Sequence, residues 1–135
     1  MIVADTSALI AIALGEPETD RFLDAIALAD RVLISAASVV EARMVIHGRR
    51  GERGVLKLDD MIRAPVFEIV PLSVGDLPVI HAAFVSYGKG NGHPAGLNFG
   101  DLFSYALAKG RGLPLLFKGD DFGHTDIEVA VSAGV

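Results

Sequence analysis

Short apolar runs alternate along this chain with longer stretches of helical periodicity, and that alternation limits the fold more than any other feature. Residues 2–4, 31–35, 66–70 and 114–117 are too short for helices and are dominated by Ile, Val, Leu and Phe. Between them lie segments of ten or more residues with apolar positions three and four apart. Strands separated by helices of that length build βαβ units and a parallel sheet. The expectation is an α/β fold: a central, mostly parallel, twisted sheet of four to five strands flanked by helices. Residues 127–131 supply a possible terminal edge strand, and residues 1–135 are expected to form one domain.

The helical segments carry their own punctuation. Residues 8–14 follow the first strand as an apolar helix. Glu16, Pro17 and Glu18 mark the start of a second, with Phe22, Ile26 and Ala29 at helical spacing. Ser35 stands where it would cap a helix over 36–49. That helix carries Val40, Met44 and His47 on one stripe and Val39, Ala42 and Ile46 beside it, and Gly48 and Gly51 weaken its end. A further helix, carrying Leu56, Asp60 and Arg63, stops at Pro65. Residues 76–87 read as helical with Val79, Ala83 and Val85 inward, and residues 99–109 form the last helix. Residues 87–96, dense in Gly and Pro, are the one long connector.

Composition sets outer bounds. An apolar fraction of 51% argues for a filled interior rather than disorder. Cysteine is absent, which removes disulfides, thiolate catalysis and zinc–thiolate sites together. No apolar run is long enough to span a membrane, and the first residues lack the basic start of a signal peptide, so a cytoplasmic protein is expected. The net charge of −5 counts against nucleic acid as a partner. That objection weakens if several carboxylates share one bound Mg²⁺.

Four acidic positions stand apart from those on polar faces. Asp5 ends the first strand, Glu41 sits among apolar residues in the helix over 36–49, and Asp101 lies in the first turn after Asn98. Asp120 and Asp121 follow the fourth strand. In a parallel sheet the carboxyl ends of strands share one rim, where ligands bind. Carboxylates gathered there repel one another unless a cation sits among them. A hard divalent ion suits an all-oxygen donor set, and one or two such ions promote phosphodiester cleavage. Thr6 and Ser7 are placed to orient Asp5. Ordinary roles remain open for each residue: Asp5 and Asp101 as helix caps, Glu41 at a helix edge, Asp120 and Asp121 in a solvated turn.

The run Met1-Ile-Val-Ala-Asp-Thr-Ser-Ala-Leu-Ile-Ala-Ile12 resembles the opening of PIN-domain ribonucleases, in particular the VapC-type toxins of toxin–antitoxin pairs. The likeness continues through Ser35-Ala-Ala-Ser-Val-Val-Glu41, Gly96-Leu-Asn-Phe-Gly-Asp-Leu-Phe-Ser-Tyr-Ala-Leu-Ala108 and Pro114-Leu-Leu-Phe-Lys-Gly-Asp-Asp-Phe-Gly-His-Thr-Asp126. These blocks keep the family's order over nearly the whole chain. The resemblance implies a PIN-like fold and Mg²⁺- or Mn²⁺-dependent endoribonuclease activity. It also implies a homodimer and a small antitoxin that inhibits by crossing the acidic groove. Asp5, Glu41 and Asp101 match the family's first three acidic positions. The fourth departs from the pattern: Gly119 stands where many relatives carry an acid, so either Asp121, with Asp120 as second candidate, supplies the charge or only three carboxylates act. The implied metal ligands are Asp5, Asp101, Glu41 and Asp121.

Basic residues that would hold an RNA backbone are Arg43, Arg49, Arg50, Arg53, Lys89, Lys109 and Lys118, each equally at home as a solvated charge. The four histidines, His47, His81, His93 and His124, lack ligand spacing. Neither a nucleophile elbow nor a nucleotide-binding glycine fingerprint is present. A phosphoacceptor domain would pair Asp5 with a neighbouring carboxylate, where this chain has Thr6 and Ser7. An RNA-processing nuclease without an antitoxin, or a binding module on the same scaffold, stays as the alternative.

Overall fold

The computed structural model describes residues 1–131. Four strands, β1 (Ile2–Ala4), β2 (Val32–Ser35), β3 (Phe67–Val70) and β4 (Leu115–Leu116), form one sheet in the order β3-β2-β1-β4. Every pairing is parallel; Val3 lies between Leu33 of β2 and Leu115 of β4. The helices are α1 (Thr6–Ala13), α2 (Thr19–Leu28), α3 (Ala36–Ile62), α4 (Leu77–Tyr87) and α5 (Phe99–Arg111).

Successive strand residues point to opposite faces, and both faces of this sheet are covered. Ala4, Val32, Ile34 and Leu116 pack with Leu9, Phe22, Ala42, Ile46 and Leu58 of α1–α3. Val3, Leu33 and Leu115 pack on the other side with Ala83, Leu102, Tyr105 and Ala108 of α4 and α5. Burial on both faces explains why the strands read as unbroken apolar runs instead of alternating ones.

The chain steps from β1 outward to β2 and β3, then returns through α4 and α5 to place β4 on the far side of β1. That reversal falls at the carboxyl ends of β1 and β4, the usual ligand position in open α/β sheets. At the same rim α3 and α5, which serve opposite faces, touch each other: the Ser38 and Ser104 hydroxyls lie 3.1 Å apart.

Several local expectations need correction. Val79 and Val85 are exposed, and α4 instead turns Ile80, Ala83 and Tyr87 inward; its first turn is a short 3₁₀ segment, Val74–Asp76. Ser35 occupies the cap position of α3, yet its side chain makes no capping bond. Val40 and Met44 face solvent while Ala42 and Ile46 fill the core. The expected terminal strand is reduced to a single parallel bridge between Leu115 and Val129. The helices expected on either side of Gly51 run on as α3, broken by Gly51 itself at φ 68°. Only glycine adopts that conformation cheaply.

Candidate active site

Asp5 follows β1 directly and is 2% exposed. Its extended backbone and carboxylate make it the N-cap of α1: Oδ2 accepts from the Ser7 amide at 3.0 Å and from the Ser7 hydroxyl at 2.7 Å. Oδ1 accepts from the Ser104 hydroxyl at 2.5 Å. The Ser104 proton is thereby committed to Asp5, so Ser38 donates to Ser104 in turn. Thr6 does not touch the carboxylate; its hydroxyl donates to the Ser38 carbonyl and ties α1 to α3. The Ser7 hydroxyl also accepts from the Lys118 amide at 3.0 Å, which holds the loop after β4 against Asp5.

Asp101 is built into the start of α5 by a reciprocal capping box. Its amide donates to Asn98 Oδ1 and its Oδ2 accepts from the Asn98 amide at 3.0 Å. Glu41 reaches the same place from α3. Its carboxylate lies against the α5 backbone at Gly100, where a Cβ would collide with both carboxylate oxygens. Gly100 is therefore required for a close approach of side chain to helix, not for its backbone freedom.

Asp101 reports how these charges combine. Burial, opposed by the Asn98 amide and reinforced by the negative charges of Asp5, Asp121 and Glu41, pushes its carboxyl up to about 7. Asp121 therefore acts on Asp101 from the loop beyond β4. Asp120, also exposed, instead lines a cavity of about 650 Å³ with Lys118 and His124. None of the ion pairs among the described residues involves Asp5, Glu41, Asp101 or Asp121. Four carboxylates thus share one rim with no cation of the chain's own to offset them.

The donor chemistry suits a hard divalent ion, because every available ligand is oxygen. Among the described residues no group of three or more acidic, imidazole or thiol side chains is arranged as a metal-holding set. Mg²⁺ does not demand one, since it keeps several waters and binds through one or two carboxylates.

A family model for the PIN domain matches residues 2–128. The chain belongs to the PIN-domain family. Ribonuclease VapC30 of Mycobacterium tuberculosis is 47% identical over 127 residues, 93% of this chain and 95% of that one. Two solved structures superpose on it. The M. tuberculosis toxin VapC20, described as cleaving the sarcin–ricin loop, gives a TM-score of 0.78 at 18% identity, covering 98% of this chain and all of that one. A toxin–antitoxin complex from Klebsiella pneumoniae gives 0.69 at 19% identity, with 98% and 100% covered.

In this PIN domain, four residues at or near the acidic rim carry roles that the sequence did not announce. Ser38 and Ser104 each lie three residues from an acidic candidate, Glu41 and Asp101, and so share its helix face; that spacing was the available signal. Gly100 had none, because its neighbour comes from 59 residues away in sequence. Asp126 accepts from the Tyr105 hydroxyl at 2.5 Å and pairs with Lys109 at 2.6 Å, fastening the segment after β4 to α5.

Proposed function

We propose that this protein is an endoribonuclease of the VapC type, the toxin of a type II toxin–antitoxin pair. It would cleave RNA phosphodiesters at the Asp5–Glu41–Asp101–Asp121 rim with Mg²⁺ or Mn²⁺. The observation that carries this reading is the set of four carboxylates at one rim, unpaired by any basic side chain of the described residues, where burial first and the neighbouring charges second raise Asp101 to about 7. Similarity to VapC ribonucleases over nearly the whole chain supports the reaction class.

Asp5 and Asp101 would be the direct ligands, with Glu41 and Asp121 completing the shell. A divalent ion held there would supply a Lewis acid and lower the pKa of water for attack on phosphorus. The chain's own contribution is to hold the ligands still: Ser7 and Ser104 fix both oxygens of Asp5, and the Asn98 box fixes one oxygen of Asp101. Preorganised groups of this kind need not reorient during the reaction.

The antitoxin assignment draws on the structural neighbour from Klebsiella pneumoniae, which was solved as a toxin–antitoxin complex. Homodimer formation is supported by apolar residues left exposed on α4 and at the start of α5, among them Leu77, Val85 and Phe99.

Asp5→Asn is the decisive variant. Asn remains a good N-cap toward Ser7, and its amide can donate to the Ser104 hydroxyl, which then turns its own proton to Ser38, so circular dichroism and Tm should change little while RNA cleavage is lost. Cleavage by the wild type should stop with EDTA and return with Mn²⁺. A folded Asp5→Asn variant that cleaves RNA at the wild-type rate would refute the assignment.

A further inference from the structure

We propose that the kinked tip of α3 is a binding site for backbone phosphates of the RNA, formed by Arg50, Arg53 and Lys57. This site rests on the ribonuclease reading above and lies outside the carboxylate rim.

The structure first removes candidates. Arg43 pairs with Asp59, Lys109 with Asp126, and Lys118 with Glu16 and Glu18, so these cations are already engaged. Arg31 and Arg63 are likewise paired, with Glu68 and Asp60. Arg21, Lys89 and Arg111 have no carboxylate partner among the described residues but lie on separate parts of the chain, whereas Arg49, Arg50, Arg53 and Lys57, also without one, stand together. These four are concentrated within nine positions of α3. Lys57 was not among the sequence candidates; it joins them because the fold brings it beside Arg50 and Arg53.

The cleft is built, not incidental. Arg50, Arg53 and Lys57 line a cavity of about 340 Å³ floored by Ala13, Leu14 and Ile46. Gly51, at φ 68°, turns the helix, and Gly54 lets its second half close on the first. A Cβ at Gly54 would sit 2.5 Å from Arg50 Cβ and 2.9 Å from Ile46 Cγ2. Glu52, the acidic residue of the tip, points away and pairs with His47. The cleft thus collects cations on one side and excludes the nearby carboxylate.

Its position relative to the rim fits one continuous ligand. The Thr6 hydroxyl bonds the Ser38 carbonyl beside Asp5, while Leu14 and Ile46 meet at the cleft. Each helix advances eight residues between these contacts, about 12 Å at ~1.5 Å per residue. α1 and α3 therefore run side by side from the carboxylates to the cations. A polyanion approaching four carboxylates on a chain of net charge −5 needs compensating charge nearby. Guanidinium groups match phosphate with paired donors.

The test uses a fluorescein-labelled single-stranded RNA oligonucleotide and the full chain carrying Asp5→Asn, read by fluorescence anisotropy across a salt series. Each phosphate contact on a single strand contributes about 0.7 to the slope of log K against log salt. Replacing Arg50, Arg53 and Lys57 together by Ala should flatten the slope by about 2, and each single replacement by about 0.7. Arg111→Ala, at the far end of α5, should leave it unchanged. An unchanged slope in the triple variant with an unaltered Tm overturns the site. So does an unchanged slope accompanied by lost binding of an antitoxin peptide, which would assign the cleft to protein instead. Because binding is read without cleavage, a wild type that fails to cut RNA would sink the ribonuclease reading and leave this measurement intact.

Discussion

Replacing Asp101 by Asn should make the protein more stable at pH 8 and inactive. Asp101 titrates near 7 in the folded chain against 3.8 for the ordinary carboxyl. Between those values the folded state holds a proton that the unfolded chain has released, so stability is greatest below about pH 4 and falls as pH rises through 7. A gap of about three pH units corresponds to about 4 kcal/mol. Asp101 is only half-buried, and solvent screening reduces this to about 1–2 kcal/mol. Asn carries no charge, and its side-chain oxygen can still accept from the Asn98 amide, so the capping box survives. The expected result in EDTA is a Tm about 3–8 °C above wild type at pH 8, shrinking toward zero at pH 4. Differential scanning calorimetry at pH 4, 6 and 8 provides the comparison. A stability difference that is the same at all three pH values would show that burial and the neighbouring carboxylates do not raise the Asp101 carboxyl.

Three further outcomes follow from named contacts. Gly100→Ala forces the Glu41 carboxylate off the α5 backbone; cleavage should fall about a hundredfold, the scale of a 1 Å misplacement, and a fully active variant would mean that Glu41 is dispensable. Ser104→Ala removes a buried donor to Asp5, so urea denaturation should show a loss of about 1.5–3 kcal/mol, with Ser104→Thr recovering part of it; no loss would place the Asp5 charge elsewhere. Asp126→Ala frees both Tyr105 and Lys109 and should cost about 1–2 kcal/mol, visible as faster amide exchange at Leu115 and Ala130, whose amides bridge β4 to the final segment.

The parts of this fold that could be read from the chain are those decided by local pattern. Continuous apolar runs announced strands buried on both faces, and Asn98 with Asp101 announced a helix start that the structure forms as a capping box. What escaped was decided by neighbours far away in sequence. Periodicity placed Val79 and Val85 in the core because α4 is apolar on several sides; only the position of α5 selects Ile80 and Ala83 as the buried face. The terminal segment has strand composition, yet it meets β4, a strand of two residues, and so makes one bridge. At the rim, the acidic candidates were legible by position. Ser7 was legible beside Asp5, and Ser104 left only its spacing from Asp101 as a signal; its bond to Asp5 and the glycine that admits Glu41 depend on how α3 and α5 meet over β1.

The strand order has a consequence for the time at which the site comes into being. β1 is synthesised first and lies between β2 and β4, so its second edge stays unpaired until residues 115–116 arrive. Asp121 follows five residues later, and the Lys118 amide that seats this loop on Ser7 belongs to the same late segment. At about 5–20 residues per second, Asp5 precedes Asp121 by roughly 6–23 seconds of translation. During that interval the growing chain has its first acidic groups but not the fourth, nor the loop that closes over Asp5. On the four-carboxylate site proposed above, a nuclease assembled this way would stay incomplete beside the RNA-rich machine that makes it until almost all of the chain described here had been synthesised.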